Sequence, residues 1–127
     1  HEVLEKKEHL LNFAKKIPIE TNGYHWPRLT NILLDRIHKK AEDIDHFFLT
    51  QINIQSIHEA LDKLKLPHSK SHNIMDRYGY TGSACIPMAL HDAVSQHKLK
   101  KGDLVFMLGS GGGLSMAALA MVWDYDT

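Results

Sequence analysis

Residues 103–123 constrain the fold of this chain more than any other stretch. The apolar run Leu104-Val105-Phe106-Met107-Leu108 leads into Gly109-Ser110-Gly111-Gly112-Gly113, and a second apolar run follows it and ends in Trp123. Glycines take positive φ without a Cβ clash and let another group approach the backbone closely. The pattern predicts two buried strands joined by a turn. Successive amides in such a turn can converge into a small anion-binding concavity, which is what acyl transfer needs where a tetrahedral oxyanion develops. The same residues also suit a plain hairpin loop.

A chain of 127 residues is sized for one domain, with a core that hides about two thirds of the unfolded surface. Lys and Arg (15) balance Asp and Glu (15), so no basic field is available for nucleic acid or a membrane surface, and there is no acidic tail. The single cysteine, Cys85, rules out an intrachain disulfide framework and fits a reducing cytoplasm. No apolar run reaches the length of a membrane span, so a soluble protein is expected. The sequence shows no signal peptide, and its start at His1 suggests an excised or processed piece. The ten histidines form neither a His-Glu-x-x-His run nor a cysteine–histidine cluster, which leaves no metal motif.

Along the chain, Val3, Leu4, Leu10, Leu11, Ala14 and Ile17 recur with helical period over residues 2–17, and Pro18 stops that helix. Thr21-Asn22-Gly23 reads as a turn leading into Tyr24-His25-Trp26, with Tyr24 and Trp26 as packing anchors. Pro27 suits the first turn of a second helix that ends near Lys40. Residues 43–45 form a connector and residues 46–50 a compact strand. Asn53 suits an N-cap for a third helix, whose Ile54, Ile57, Leu61 and Leu64 face inward until Pro67. A strand is expected over residues 72–78, then a turn at 79–82 and a fourth helix over 83–97 with Pro87 near its start. Strands at 104–108 and 114–122 complete the order. Met116-Ala117-Ala118-Leu119-Ala120 has helix-forming composition, so the last strand rests on its pairing within the hairpin and on the family resemblance described next. There are no repeats or low-complexity tracts. In such α/β sheets ligand chemistry collects beyond the carboxyl ends of the strands. Thr50-Gln51, Gly79-Tyr80-Thr81 and the glycine run would then share one rim.

At these three places the sequence resembles the C-terminal half of a ketoacyl-ACP synthase III, a member of the thiolase-like superfamily. The residues that carry the likeness run from Asp45 to Asn53, from Asp76 to Leu90, from Lys101 to Val105, and from Gly109 to Ser115. The resemblance implies an α/β fold with a mixed sheet and covering helices over residues 1–127, one half of a five-layered αβαβα molecule that usually dimerises. It also implies that the N-terminal half, with the family's nucleophilic cysteine, is not in this chain. Cys85 does not match that nucleophile and reads as an inert core thiol.

In the family a histidine immediately before the Gln51 position and an asparagine immediately after Gly79 stabilise the charge formed when malonyl-ACP loses carbon dioxide. Here those places hold Thr50 and Tyr80. Each can still point a hydroxyl at a thioester oxygen, but neither reproduces the usual pair. Gly112 matches the residue whose backbone N–H contributes to the oxyanion hole. The resemblance therefore gives Thr50, Tyr80 and Gly112 as catalytic positions, with Ser110 and Gly111 beside the substrate. Asn53 matches a position near the pantetheine arm, and helix capping explains it equally well. His25, His58, His91 and His97 read as surface residues, although His25 could reach a pocket and replace the missing base.

The implied activity is acyl transfer in fatty acid biosynthesis, from acyl-CoA or acyl carrier protein through a cysteine thioester, to malonyl-ACP or to a different acceptor. No permanently bound cofactor is implied, since CoA or phosphopantetheine thioesters serve as substrates. The implied partners are the N-terminal half, acyl carrier protein and a second copy of the chain, with no nucleic acid and no membrane. Two other readings stand beside it: a non-catalytic subunit of the same descent, and a stand-alone small-molecule binding domain.

Overall fold

The apolar runs at residues 46–50 and 104–108 become neighbouring strands buried on both faces. In the computed structural model, which describes residues 20–51, 53–111 and 115–125, β1 (His46–Leu49) and β2 (Leu104–Gly111) run parallel, His46 opposite Val105 and Leu49 opposite Leu108. β3 (Ser115–Val122) returns antiparallel along β2, Leu104 opposite Val122 and Gly111 opposite Ser115. The result is the mixed sheet expected from the sequence, in the order β1-β2-β3. Gly109 and Gly111 belong to β2 rather than to the turn, and residues 112–114, Gly112 among them, lie outside the described residues. The helix expected over residues 2–17 lies outside them as well.

Side chains along a strand alternate between faces, and both faces of this sheet are covered. Phe47, Leu49, Phe106 and Leu108 pack with Trp26 and Leu34 of α1 (Glu20–Ile37) and with Ile57 and Leu61 of α2 (Ile54–Lys63). Phe48 and Val105 point the other way, onto Ala89 and Ala93 of α4 (Cys85–Ser95), with Ile74 and Trp123. Full burial of a large apolar side chain is worth about 1.5–3 kcal/mol, so these two layers outweigh any single ladder bond in holding the strands. α2 begins as expected, with Asn53 Oδ1 accepting from Gln55 N at 2.8 Å. Three helices end on left-handed residues, His38, Lys65 and His97. Each is followed by a bond back across the last turn, such as Leu66 N to Leu61 O at 2.9 Å.

Several expectations fail locally. Thr21-Asn22-Gly23 is helix rather than turn, and Pro27 lies in the interior of α1 rather than in its first turn. A proline there leaves the carbonyl of residue 23 without its helical donor. Lys63 Nζ of α2 supplies one, reaching Gly23 O at 3.0 Å while paired with Glu59 at 3.1 Å. A Cβ on residue 23 would stand 2.6 Å from the Glu59 carboxyl group, so glycine there makes room for this arrangement. Tyr24 consequently faces solvent, whereas Trp26 is the buried anchor. The strand expected over residues 72–78 is reduced to one parallel bridge between Ser71 and Phe47. Residues beyond it form α3 (Met75–Tyr78). The fourth helix starts at Cys85 after a 3-10 turn at Gly82–Ala84, which places Cys85 at its beginning rather than inside it.

Candidate functional site

Thr50 follows the last residue of β1 and is 3% exposed. Its N–H donates to Leu108 O at 3.1 Å, and its Oγ1 accepts from Ser110 N at 2.8 Å, so the end of β1 is stitched to β2 twice. Since Oγ1 is the acceptor in that bond, the hydroxyl proton remains available for a further acceptor. Ser110 Oγ accepts from Trp26 Nε1 at 3.1 Å and donates to Asn22 Oδ1 at 2.7 Å. That hydroxyl is therefore a structural strut between β2 and α1. Gln51 is fully buried, with Nε2 donating to Leu49 O at 3.0 Å and Oε1 accepting from Ile74 N at 3.0 Å. It ties the end of β1 to the residue that precedes α3.

Beyond this rim lies a cavity of about 450 Å³, within the usual range for small-molecule sites. Thr50, Gly109, Ser110 and Gly111 line it from the sheet together with their β3 neighbours Ser115, Met116 and Ala117, and Tyr80, Gly82, Ser83, Cys85 and Ile86 line it from the segment that leads into and opens α4. A Cβ on Gly111 would meet nothing within 4 Å, so that glycine leaves open space beside the cavity. Tyr80 is half-exposed, and the neighbouring Thr81 Oγ1 is buried without a hydrogen-bond partner.

Of the residues singled out in the sequence, Thr50, Tyr80, Ser110 and Gly111 thus meet at one cavity, while Gly112 lies outside the described residues. Asn53 does not line the cavity, and its side chain caps α2. His25 lies on α1, near Arg28 and edge-on to Tyr24, and does not line it either. Cys85 is buried, as expected of a core thiol, yet it lines the cavity from the first turn of α4. The helical period of residues 83–97 hid this, because it gives a helix face but not the position of the first turn. Among the described residues, no three or more His, Cys, Asp or Glu side chains gather as a metal site, and no helix is long and apolar enough to cross a membrane.

A mixed sheet between two helical layers, with a largely apolar cavity beyond the ends of its parallel strands, is an α/β architecture of the thiolase-like class. The chain belongs to the family described as 3-oxoacyl-[acyl-carrier-protein] synthase III, C-terminal, which matches residues 34–123. A beta-ketoacyl-[acyl-carrier-protein] synthase III of Clostridium novyi is 37% identical over 101 residues, covering 74% of this chain and 31% of the relative. Its counterpart in Syntrophomonas wolfei is 32% identical over 117 residues, covering 92% of this chain and 33% of the relative. The crystal structure of the Aquifex aeolicus synthase III superposes with a TM-score of 0.77 at 31% identity, covering 80% of this chain and 33% of that one. The chain therefore spans about a third of the length of the curated relatives it matches.

Proposed function

We propose that this chain forms the acceptor side of an acyltransferase of the 3-oxoacyl-ACP synthase III type. The acyl group would be carried as a cysteine thioester on a segment outside these residues. The observation that supports this reading is the shared cavity: Thr50, with a spare hydroxyl proton, lines it from the strand ends, and Tyr80 lines it from the loop after α3. In this reading Thr50 donates to the thioester carbonyl, Tyr80 places a second hydroxyl beside the acceptor, and the Gly112 amide completes the oxyanion hole. Ser110 and Gly111 shape the wall against which the substrate lies, and Asn53 acts as a helix cap. CoA and acyl carrier protein are the thioester carriers, no resident cofactor takes part, and the active form is a cytoplasmic homodimer.

Without an imidazole at residue 50 and an amide side chain at residue 80, the site is poorly equipped for malonyl decarboxylation. The acceptor then includes alcohols, amines and other carbon nucleophiles. Incubation of the full-length protein with radiolabelled acyl-CoA tests the acyl-enzyme directly. Label should survive denaturation, and its absence at every chain length would leave the non-catalytic subunit as the better reading. The double substitution Thr50→His with Tyr80→Asn should raise malonyl decarboxylation. An unchanged rate in a folded variant would place the block elsewhere.

A further inference from the structure

The wall that carries Tyr80 has little holding it from within. Residues 79–84 include two left-handed glycines, Gly79 (φ 64°) and Gly82 (φ 63°), the half-exposed Tyr80 and the unpartnered Thr81 hydroxyl. The elements on either side of this loop are joined through one oxygen. Asp92 Oδ2, on α4, accepts from Arg77 Nη2 of α3 at 2.6 Å and from Gln96 Nε2 at 2.9 Å, and it lies 2.6 Å from His72 Nε2. His72 is itself fixed to β1, its N–H donating to Phe47 O at 3.2 Å, and its other ring nitrogen lies 3.1 Å from Lys98 Nζ. Both ring contacts are satisfied by an imidazole carrying its proton on Nε2, with Nδ1 accepting from the lysine. Gln51 secures the residue before α3 through Ile74, and the Arg77 side chain ties the single turn of α3, which leads into Tyr80, to Asp92.

We propose that Asp92 is a positioning residue for Tyr80: by clamping Arg77 and His72 it fixes α3 against α4 and β1, and so sets where the Tyr80 phenol enters the cavity. The role rests on the reading of Tyr80 as a group of the acyl-transfer site. An isolated pair with an exposed partner contributes little, but here two groups from before the loop, His72 and Arg77, share one carboxylate oxygen beyond it. The hydrogen bond from Arg77, and then that from His72, hold the Asp92 carboxyl below the usual carboxylate range, so the clamp is closed at neutral pH.

The test uses the full-length protein labelled with 3-fluorotyrosine and read by fluorine NMR, the Tyr80 line being assigned with Tyr80→Phe. In Asp92→Asn the Tyr80 line should shift or broaden while the Tyr24 and Tyr125 lines stay in place. Turnover should fall between about ten- and a hundredfold, as misplacement near 1 Å does. The same substitution in the Tyr80→Phe background should add no further loss. An unmoved Tyr80 line in folded Asp92→Asn, or a full additional loss in that background, overturns the proposal. Should Asp92→Asn not fold, Arg77→Gln keeps the His72 contact and is read by the same line, with the same two outcomes. The spectra decide the clamp even if the protein transfers no acyl group, so failure of the clamp and failure of the acyltransferase reading are told apart.

Discussion

Thr50 and Tyr80 line one cavity, the first from the sheet and the second from a loop, and they are held in different ways. Thr50 is buried at a strand end, fixed by its own N–H and by an amide of the neighbouring strand. Behind it, Ser110 is braced by Trp26 and Asn22. Tyr80 stands on a loop with two left-handed glycines, and its anchors lie on α3 and α4 rather than in the loop itself. The sheet therefore supplies one donor already aimed, as a group that meets developing charge should be. The loop supplies a second whose position depends on a distant carboxylate. A cavity built this way keeps its sheet side rigid and can vary its loop side without disturbing the core.

Thr50→Val should produce the largest effect, because it leaves the Ser110 amide without its acceptor. A loss of about 1–3 kcal/mol in urea unfolding is expected, together with a fall of about 10²–10³ in acyl transfer. An unchanged unfolding midpoint would break the contrast at its rigid end. The second prediction concerns acid. Asp92 has a folded pKa below its ordinary value, so the stability it contributes is complete above about pH 4 and is lost as pH falls through the folded pKa. Unfolding curves of the unsubstituted protein and of Asp92→Asn should differ at pH 7 and draw together as pH falls below the ordinary carboxylate range. A constant difference would show that Asp92 acts by packing rather than by charge. The smallest effect on stability belongs to Tyr80→Phe, within about 0.5 kcal/mol, since the half-exposed phenol is not part of the packed core. A larger loss would mean that the loop wall is load-sharing and would remove the contrast altogether.

Some local signals were legible, others such as Thr21-Asn22-Gly23 misled, and remote compensations were not legible at all. Asn53, β1 and the hairpin announce themselves through a cap, a strand-like run and a pair of apolar runs, all of which act over a few residues. Pro27 inside α1 is accommodated through Lys63, which lies forty positions along the chain from the Gly23 carbonyl it serves, and no short window of sequence contains that donor. The strand expected over residues 72–78 failed for a similar reason. His72 and Ile74 bond to Phe47 O and Gln51 Oε1, so the segment touches β1 and then turns into α3 instead of extending the ladder. At the site, the family pattern brought Thr50, Tyr80, Ser110 and Gly111 together. It gave no hint that the Ser110 hydroxyl is consumed by Trp26 and Asn22, or that Cys85 opens onto the cavity. Asp92 carried no sequence signal, because its role comes from His72 and Arg77, which only folding brings to one oxygen.

β3 is built of Ser115, Met116, Ala117, Ala118, Leu119, Ala120, Met121 and Val122, with neither charge nor proline, and among the described residues it pairs only with β2. Its outer edge offers a ready row of amides and carbonyls, beside Leu119 at 50% and Val122 at 63% exposure. Produced as this segment alone, the chain would meet other copies at that edge and grow by strand addition as concentration rises. Poor solubility of the isolated segment would then report on an unblunted border, and not on a failure of the sequence to fold.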